Sequence, residues 1–178
     1  MKPALSTTPR LRASAIPAFT LLELLAVITI IAILAGIVIG VGRRASEAGK
    51  TARTKAELAT LGAALESYKR TYGDYPRTDD EAQLLRALVG QRGPAADTVI
   101  TGRPLLESAR FTITGHVLTD PWERPYVYAY KVPAGGWVNS GFVLYSVGPD
   151  GADTPALHAG GFPDVASPGN LDNIHVNR

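Results

Sequence analysis

Residues 19–41 read FTLLELLAVITIIAILAGIVIGV, an apolar run of 23 residues that contains one charge, Glu23. At about 1.5 Å per residue, a helix of this length crosses a hydrocarbon core of about 30 Å. A cleaved secretory signal has a shorter apolar core, of about 7–15 residues, and a small-x-small cleavage site after it. The sequence after Val41 offers no convincing A-x-A site. We therefore expect a retained transmembrane helix.

The charges around this run indicate its orientation and exclude several classes of protein. Residues 1–18 contain Lys2, Arg10 and Arg12 and no acid, which is typical of a segment kept on the cytoplasmic side. The whole chain of 178 residues carries a net charge of only +2, too balanced for a protein that binds nucleic acid through its phosphates. The absence of cysteine excludes disulfides, thiolate zinc sites and cysteine nucleophiles.

Glu23 requires a physical explanation, because a carboxylate inside an apolar helix costs roughly 2.5–3.5 kcal/mol on insertion scales. One explanation is that Glu23 lies near the helix end and reaches the lipid head groups. The other is that it has a positive partner inside the membrane. No Lys or Arg occurs within residues 19–41, so that partner would have to be another group, such as a newly formed α-amino group.

The helical pattern continues over residues 45–72, beyond the membrane run. One stripe of large apolar side chains recurs at spacings of three and four residues: Leu58, Leu61, Leu65, Tyr68 and Tyr72. This stripe predicts packing against a sheet. A second face is small: Ala45, Ala48, Ala52, Ala56, Ala59 and Ala63. That face either admits neighbouring helices or reflects the helix propensity of alanine. Likewise, Gly36, Gly40 and Gly42 mark either a bend or small packing residues.

The remaining sequence predicts a small mixed domain. A Gly-Asp-Tyr-Pro exit at residues 73–76 ends the long helix, and residues 78–89 predict a short helix capped by Thr78 or Asp79. Residues 111–118 predict one strand. Residues 126–132 and 137–147 predict an antiparallel hairpin around a turn at residues 134–136. The tail, residues 148–178, is rich in turn formers.

The amino terminus also resembles a known family. Residues 18–23, AFTLLE, look like the class III signal of type IV pilins and type II secretion pseudopilins. The resemblance implies that a prepilin peptidase cuts between Ala18 and Phe19, that Phe19 is then N-methylated, and that Glu23 neutralises the α-amino group of a neighbouring subunit. Ala18 departs from the pattern, because the family mostly has Gly before the cut.

Three further stretches extend the resemblance through most of the chain. They are YGDYP at residues 72–76, TDPWERPYVY at residues 119–128 and YSVGPDG at residues 145–151. The second stretch is similar to the D-P-W-x-x-P-Y-x-Y pattern that separates major pseudopilins from ordinary type IV pilins. Glu123 stands where that pattern usually has Gly.

Major pseudopilins bind calcium in their carboxy-terminal loop, so the resemblance implies a calcium site here. Calcium prefers six to eight hard oxygens, and the tail supplies such groups: Asp150, Asp153, Asp164, Asp172 and Asn173. Asn173 stands where the family has an acid before Ile174, so a weaker site is expected. We predict Asp150 and Asp172 as ligands, together with Asp153 or Asn173. The alternative is that these residues only cap turns.

No residue pattern indicates an enzyme. His116, His158 and His175 are isolated, and the chain has no G-x-S-x-G, Walker or G-x-G-x-x-G motif. The paired acids Asp79 and Asp80 fall at a predicted helix start, where acids suit the helix dipole. We therefore predict a structural protein without catalytic residues.

Together, these observations predict an α+β pilin-like fold, with one long amino-terminal helix packed on a small antiparallel sheet. The predicted segments are a cleaved leader at 1–18, a transmembrane helix at 19–42, its amphipathic half at 43–73, and a globular head with a carboxy-terminal loop at 74–178.

The resemblance implies a homopolymeric subunit of a periplasmic pseudopilus, anchored by a single pass in the inner membrane with its head in the periplasm. The implied partners are minor pseudopilins, the prepilin peptidase and an inner-membrane assembly platform, with no nucleic acid. Two alternatives remain open. One is a type IV pilin or minor pseudopilin serving adhesion, motility or DNA uptake, and the other is a membrane-anchored domain that never polymerises.

Overall fold

The computed structural model describes residues 19–94, 99–131, 141–154 and 163–176. The predicted leader, Ala18 at its cleavage site, the hairpin turn at residues 134–136 and His158 lie outside the described residues. The chain divides into two compact units, Met1–Arg43 and Arg44–Arg178. The order of helices and strands is α1 Leu21–Tyr72, α2 Glu81–Leu88, β1 Thr112–Thr114, β2 Val117–Thr119, β3 Val127–Tyr130, β4 Phe142–Ser146 and β5 Ile174–His175.

Helix α1 is continuous over 52 residues, including Gly36, Gly40 and Gly42. Within the first unit its large apolar side chains are all at least 45% exposed. Nothing lies within 4 Å of the positions that Cβ atoms would take at these three glycines. An 18-residue window of α1 has a mean hydropathy of 3.0, long and apolar enough to cross a membrane. Such a surface needs cover from lipid or from neighbouring helices.

The second unit is built around the carboxy-terminal half of α1. The predicted apolar stripe is confirmed there for four of its five members, because Leu58, Leu61, Leu65 and Tyr68 are each at most 1% exposed, whereas Tyr72 is only partly buried. They share one core with Tyr126, Tyr128, Phe142 and Leu144 of the sheet region. All six residues of the predicted alanine face are exposed. Helix α1 ends at Tyr72, and the following Gly73 has a φ of 86°, the left-handed conformation that commonly closes helices.

Helix α2 begins later than its sequence predicted. Its N-cap is Asp80, whose Oδ1 accepts hydrogen bonds from the backbone N–H groups of Ala82 at 2.8 Å and Gln83 at 3.0 Å. The prediction of Thr78 or Asp79 as the cap is therefore wrong. Thr78 instead accepts from the backbone of Asp80 at 3.0 Å, and Asp79 Oδ1 accepts from the backbone N–H of Tyr130 at 3.0 Å.

The single strand predicted for residues 111–118 is also wrong, since two short strands replace it. β1 and β2 form an antiparallel hairpin in which Thr114 pairs with Val117. The two residues between them have positive φ angles, 59° at Gly115 and 73° at His116. Positive φ at both central residues is the signature of the tight turns that match strand twist. The predicted strand therefore reverses direction at residues 115–116 and forms a hairpin.

The antiparallel pairing predicted for the second half is confirmed between its described strands, and the tail adds a third strand. β3 pairs antiparallel with β4 from Val127↔Tyr145 to Tyr130↔Phe142. β5 pairs antiparallel with the other edge of β4, through Tyr145↔His175 and Ser146↔Ile174. β4 is thus the central strand, and all five of its residues are buried. The α+β pilin-like fold is confirmed.

Candidate functional site

The start of α1 carries a reciprocal cap that the sequence analysis missed. Thr20 precedes the helix, and its backbone N–H and hydroxyl donate to Glu23 Oε2 at 2.9 and 2.8 Å. The backbone N–H of Glu23 donates to Thr20 Oγ1 at 3.2 Å. This is a capping box, for which a T-x-x-E spacing is the sequence signature. Glu23 Oε1 accepts no hydrogen bond within the described residues, and this oxygen is available to another group.

A second group of polar contacts fastens the head to α1 within the second unit. The indole Nε1 of Trp122 donates to Glu47 Oε2 at 2.8 Å, and Lys50 lies 3.4 Å from Glu47. The hydrogen bond from Trp122 lowers the pKa of the Glu47 carboxyl. Nearly three turns further along the helix, Glu57 accepts from Arg53 at 2.7 Å and from the hydroxyl of Tyr126. Burial, followed by the bond to Glu57, raises the pKa of Tyr126.

The turn before β3 is built around Asp120, which is 1% exposed. Its Oδ1 accepts from the backbone N–H groups of Trp122 at 2.9 Å and Arg124 at 3.0 Å, and its Oδ2 accepts from Ser146 Oγ. Glu123 within this turn has a φ of 66°, the left-handed region that favours glycine. The D-P-W stretch therefore fixes a turn against the central strand.

We define the C-terminal loop as its described parts, residues 148–154 and 163–173. Here the structure brings the predicted calcium ligands together as two pairs. Asp172 Oδ2 accepts from the backbone N–H of Asp150 at 3.0 Å, and Asp153 Oδ1 lies 3.4 Å from Asn173 Nδ2. Tyr145 also donates to Asp153, at 3.0 and 3.2 Å. Within the described residues, no three His, Cys, Asp or Glu side chains form a group able to hold a metal ion.

Asn170 is a member of this loop that the sequence analysis missed, and it is 2% exposed. Its Oδ1 accepts from the backbone N–H of Thr154 at 2.8 Å, and its Nδ2 donates to the carbonyls of Thr154 and Asp164 at 3.2 and 2.7 Å. The Asp164 side chain caps its own turn through Ala166. The only sequence signal for Asn170 was an amide in a Gly/Pro-rich tail. Such an amide indicates a turn and not hydrogen bonds between distant parts of the loop.

Two buried acceptor oxygens in the loop test whether a cation suits it. Asp172 Oδ1 and Asn173 Oδ1 are buried and accept no hydrogen bond within the described residues. Both residues line an open groove of about 650 Å³ between α1 and the loop. Buried oxygens without donors are costly unless something positive faces them, and carboxylate and amide oxygens are the ligands that calcium prefers. These two oxygens are of the type that a hard cation would take as ligands, and Lys55 lines the same groove.

The fold and the amino-terminal motif define a class: a pilin-like subunit with one helix that is long and apolar enough to cross a membrane. A family model described as type II secretion system, protein G, matches residues 41–158. Type II secretion system core protein G of Pseudomonas aeruginosa is 32% identical over 158 residues, which cover 87% of this chain and 94% of that protein. The chain therefore belongs to the type II secretion system protein G family, the major pseudopilins, which are structural, non-enzymatic subunits. No solved structure matches it.

Proposed function

We propose that this pseudopilin polymerises through the first half of α1 into a periplasmic pseudopilus whose growth drives protein export. Glu23 is the observation that carries the proposal. It is the single charge within residues 19–41, where the large apolar side chains are exposed, and its Oε1 faces no donor within the described residues. A neighbouring subunit's α-amino group at Phe19 would supply the missing positive charge.

Processing and location follow from the same motif. The prepilin peptidase is proposed to cut between Ala18 and Phe19 and to N-methylate Phe19. The basic leader supports an inner-membrane anchor with its amino terminus cytoplasmic and the head in the periplasm. An inner-membrane assembly platform would add subunits, and minor pseudopilins would join the homopolymer. Since Phe19 is 75% exposed, a new amino terminus there is accessible to a second chain.

Replacement of Glu23 tests the polymer. Glu23→Ala should insert into membranes at normal levels, because it removes a costly buried charge, yet fail to enter sheared or cross-linked fibres. Glu23→Asp is the matched control, since it keeps the carboxylate and should retain part of the assembly. Fibre yield would be compared with membrane fractionation of the same cells. Normal fibres from Glu23→Ala would refute the role proposed for this residue.

We also propose that the C-terminal loop binds calcium through oxygens of Asp150, Asp153, Asp172 and Asn173. The support is the pair of buried oxygens on Asp172 and Asn173 that lack a donor. A bound calcium ion would supply the positive charge that these two oxygens lack. Isothermal titration calorimetry of the detergent-solubilised chain with calcium chloride tests this directly. We expect a heat of binding that saturates, and its absence would contradict the proposed site.

A further inference from the structure

The Asn173 side chain occupies a position between two acceptors of the C-terminal loop. Its Nδ2 lies 3.2 Å from Asn170 Oδ1 and 3.4 Å from Asp153 Oδ1. Asn170 Oδ1 is identified as the oxygen of its amide because it accepts from the backbone of Thr154. A carboxylate has only acceptors. The nitrogen of Asn173 therefore has to face this pair, since its oxygen would meet two other oxygens.

Other protein donors hold the same loop from its remaining sides. The hydroxyl of Tyr145 donates to Asp153, and the backbone N–H of Asp150 donates to Asp172. The guanidinium of Arg124 donates to the carbonyl of Gly148 and lies where a side chain on Gly151 would be. Residues 148–154 are thus tied to residues 170–173 and to the turn before β3 by bonds that need no ion.

A carboxylate at position 173 would reverse this arrangement. An Asp there would place acceptor oxygens against Asp153 and against Asn170 Oδ1, and like charges in contact repel. Only a cation could then bridge the group. An amide at position 173 can therefore bond to Asp153 and Asn170 without an ion, whereas a carboxylate there would require a cation.

We propose that the Asn173 amide closes the C-terminal loop without a bound cation, so that calcium adds order to a loop that is already closed. Closure by the amide does not depend on the proposed calcium binding. Only the added order from calcium rests on that proposed function. Its consequence is a pseudopilin head that keeps its carboxy-terminal strand β5 docked when calcium is scarce, since β5 follows Asn173 directly.

Thermal melting of the full chain in detergent, in chelator and in excess calcium chloride, tests the inference. The variants are Asn173→Asp and Asn173→Ala. Gln91→Glu is the control, because it adds one carboxylate at an exposed position outside the loop. In chelator we expect both Asn173 variants to melt about 3 °C or more below the parent chain, and Gln91→Glu to melt with it. Calcium should restore Asn173→Asp and leave Asn173→Ala low.

The outcomes separate the two proposals. If both Asn173 variants melt with the parent chain in chelator, the amide does not close the loop and the inference is overturned. A parent chain that loses as much stability in chelator as Asn173→Asp would overturn it equally. If calcium gives no heat of binding with any variant, the calcium site is lost, while early melting of Asn173→Ala still supports closure by the amide.

Discussion

Glu123 adopts a backbone conformation that is unfavourable for a residue with a Cβ atom. Its φ of 66° is a conformation that costs an L-residue roughly 1–2 kcal/mol and costs glycine little. We therefore expect Glu123→Gly to raise the free energy of unfolding by up to about 1 kcal/mol, after allowance for the greater freedom of glycine in the unfolded chain. Glu123→Ala is the matched control, because it keeps the Cβ atom. Chemical denaturation of both variants decides the point, and equal stability of the two would show that the turn is not strained.

Asp74 provides a test that depends on pH. Burial raises the pKa of its carboxyl, but hydrogen bonds from Tyr130 at 2.6 Å, from the backbone of Tyr75 and from Arg77 outweigh this and hold the pKa below its usual value. A lowered pKa adds stability that is full above the unfolded value of about 3.9 and is lost as the pH falls through the folded value.

We therefore expect Asp74→Asn to lower the free energy of unfolding by about 1 kcal/mol at pH 7 and by less at pH 3. Urea denaturation at both pH values measures the difference. A deficit that stays constant between the two pH values would contradict the account, since it would not come from the carboxylate charge.

For single residues, the sequence predicted which side chains carry the relevant chemistry better than it predicted which groups they contact. The charge of Glu23 and the oxygens of Asp150, Asp153, Asp172 and Asn173 were visible in the sequence, because carboxylates in an apolar run or a Gly-rich tail are conspicuous. Thr20 and Asn170 were missed. A capping Thr and a turn Asn are common residues, and only the folded chain shows that Asn170 faces Thr154 and Asn173.

Among the helices and strands, we expect alanine substitutions at two glycines of α1 to change the stability differently. Gly49 has nothing within 4 Å of an added Cβ, whereas a Cβ on Gly62 would lie 2.8 Å from Val176 Cγ2. Gly49→Ala should stabilise the helix by about 0.5–1 kcal/mol. Gly62→Ala should forfeit that gain, because the branched side chain of Val176 yields little. Thermal melts of both variants compare them, and an equal gain would show that Val176 does not pack tightly on α1.

Elements with strong periodicity were predicted, and short ones were not. The Leu58 to Tyr68 stripe and the β3–β4 hairpin follow from spacing alone. The β1–β2 hairpin was missed because His116 at positive φ gives no sequence signal. β5 was missed because two residues cannot show an alternation, and its place beside β4 depends on the loop before it.

At the scale of the whole molecule, the two units have different physical requirements. The second unit has its own core, formed by α1, α2 and the strands. The described part of the first, residues 19–43, is mostly helix with large apolar side chains that are all exposed, and a surface of this kind requires lipid or neighbouring copies. The proposed polymerisation through the first half of α1 would meet the requirement of the first unit, and it agrees with membership of the type II secretion system protein G family.

The intact mass of the membrane-extracted protein, with its amino-terminal sequence, tests that account most directly. A pseudopilin processed as proposed should begin at N-methylated Phe19, which places Glu23 beside a new α-amino group. A chain that still begins at Met1, or one cut after the apolar run, would contradict the account, because no subunit could then offer the positive partner that Glu23 requires.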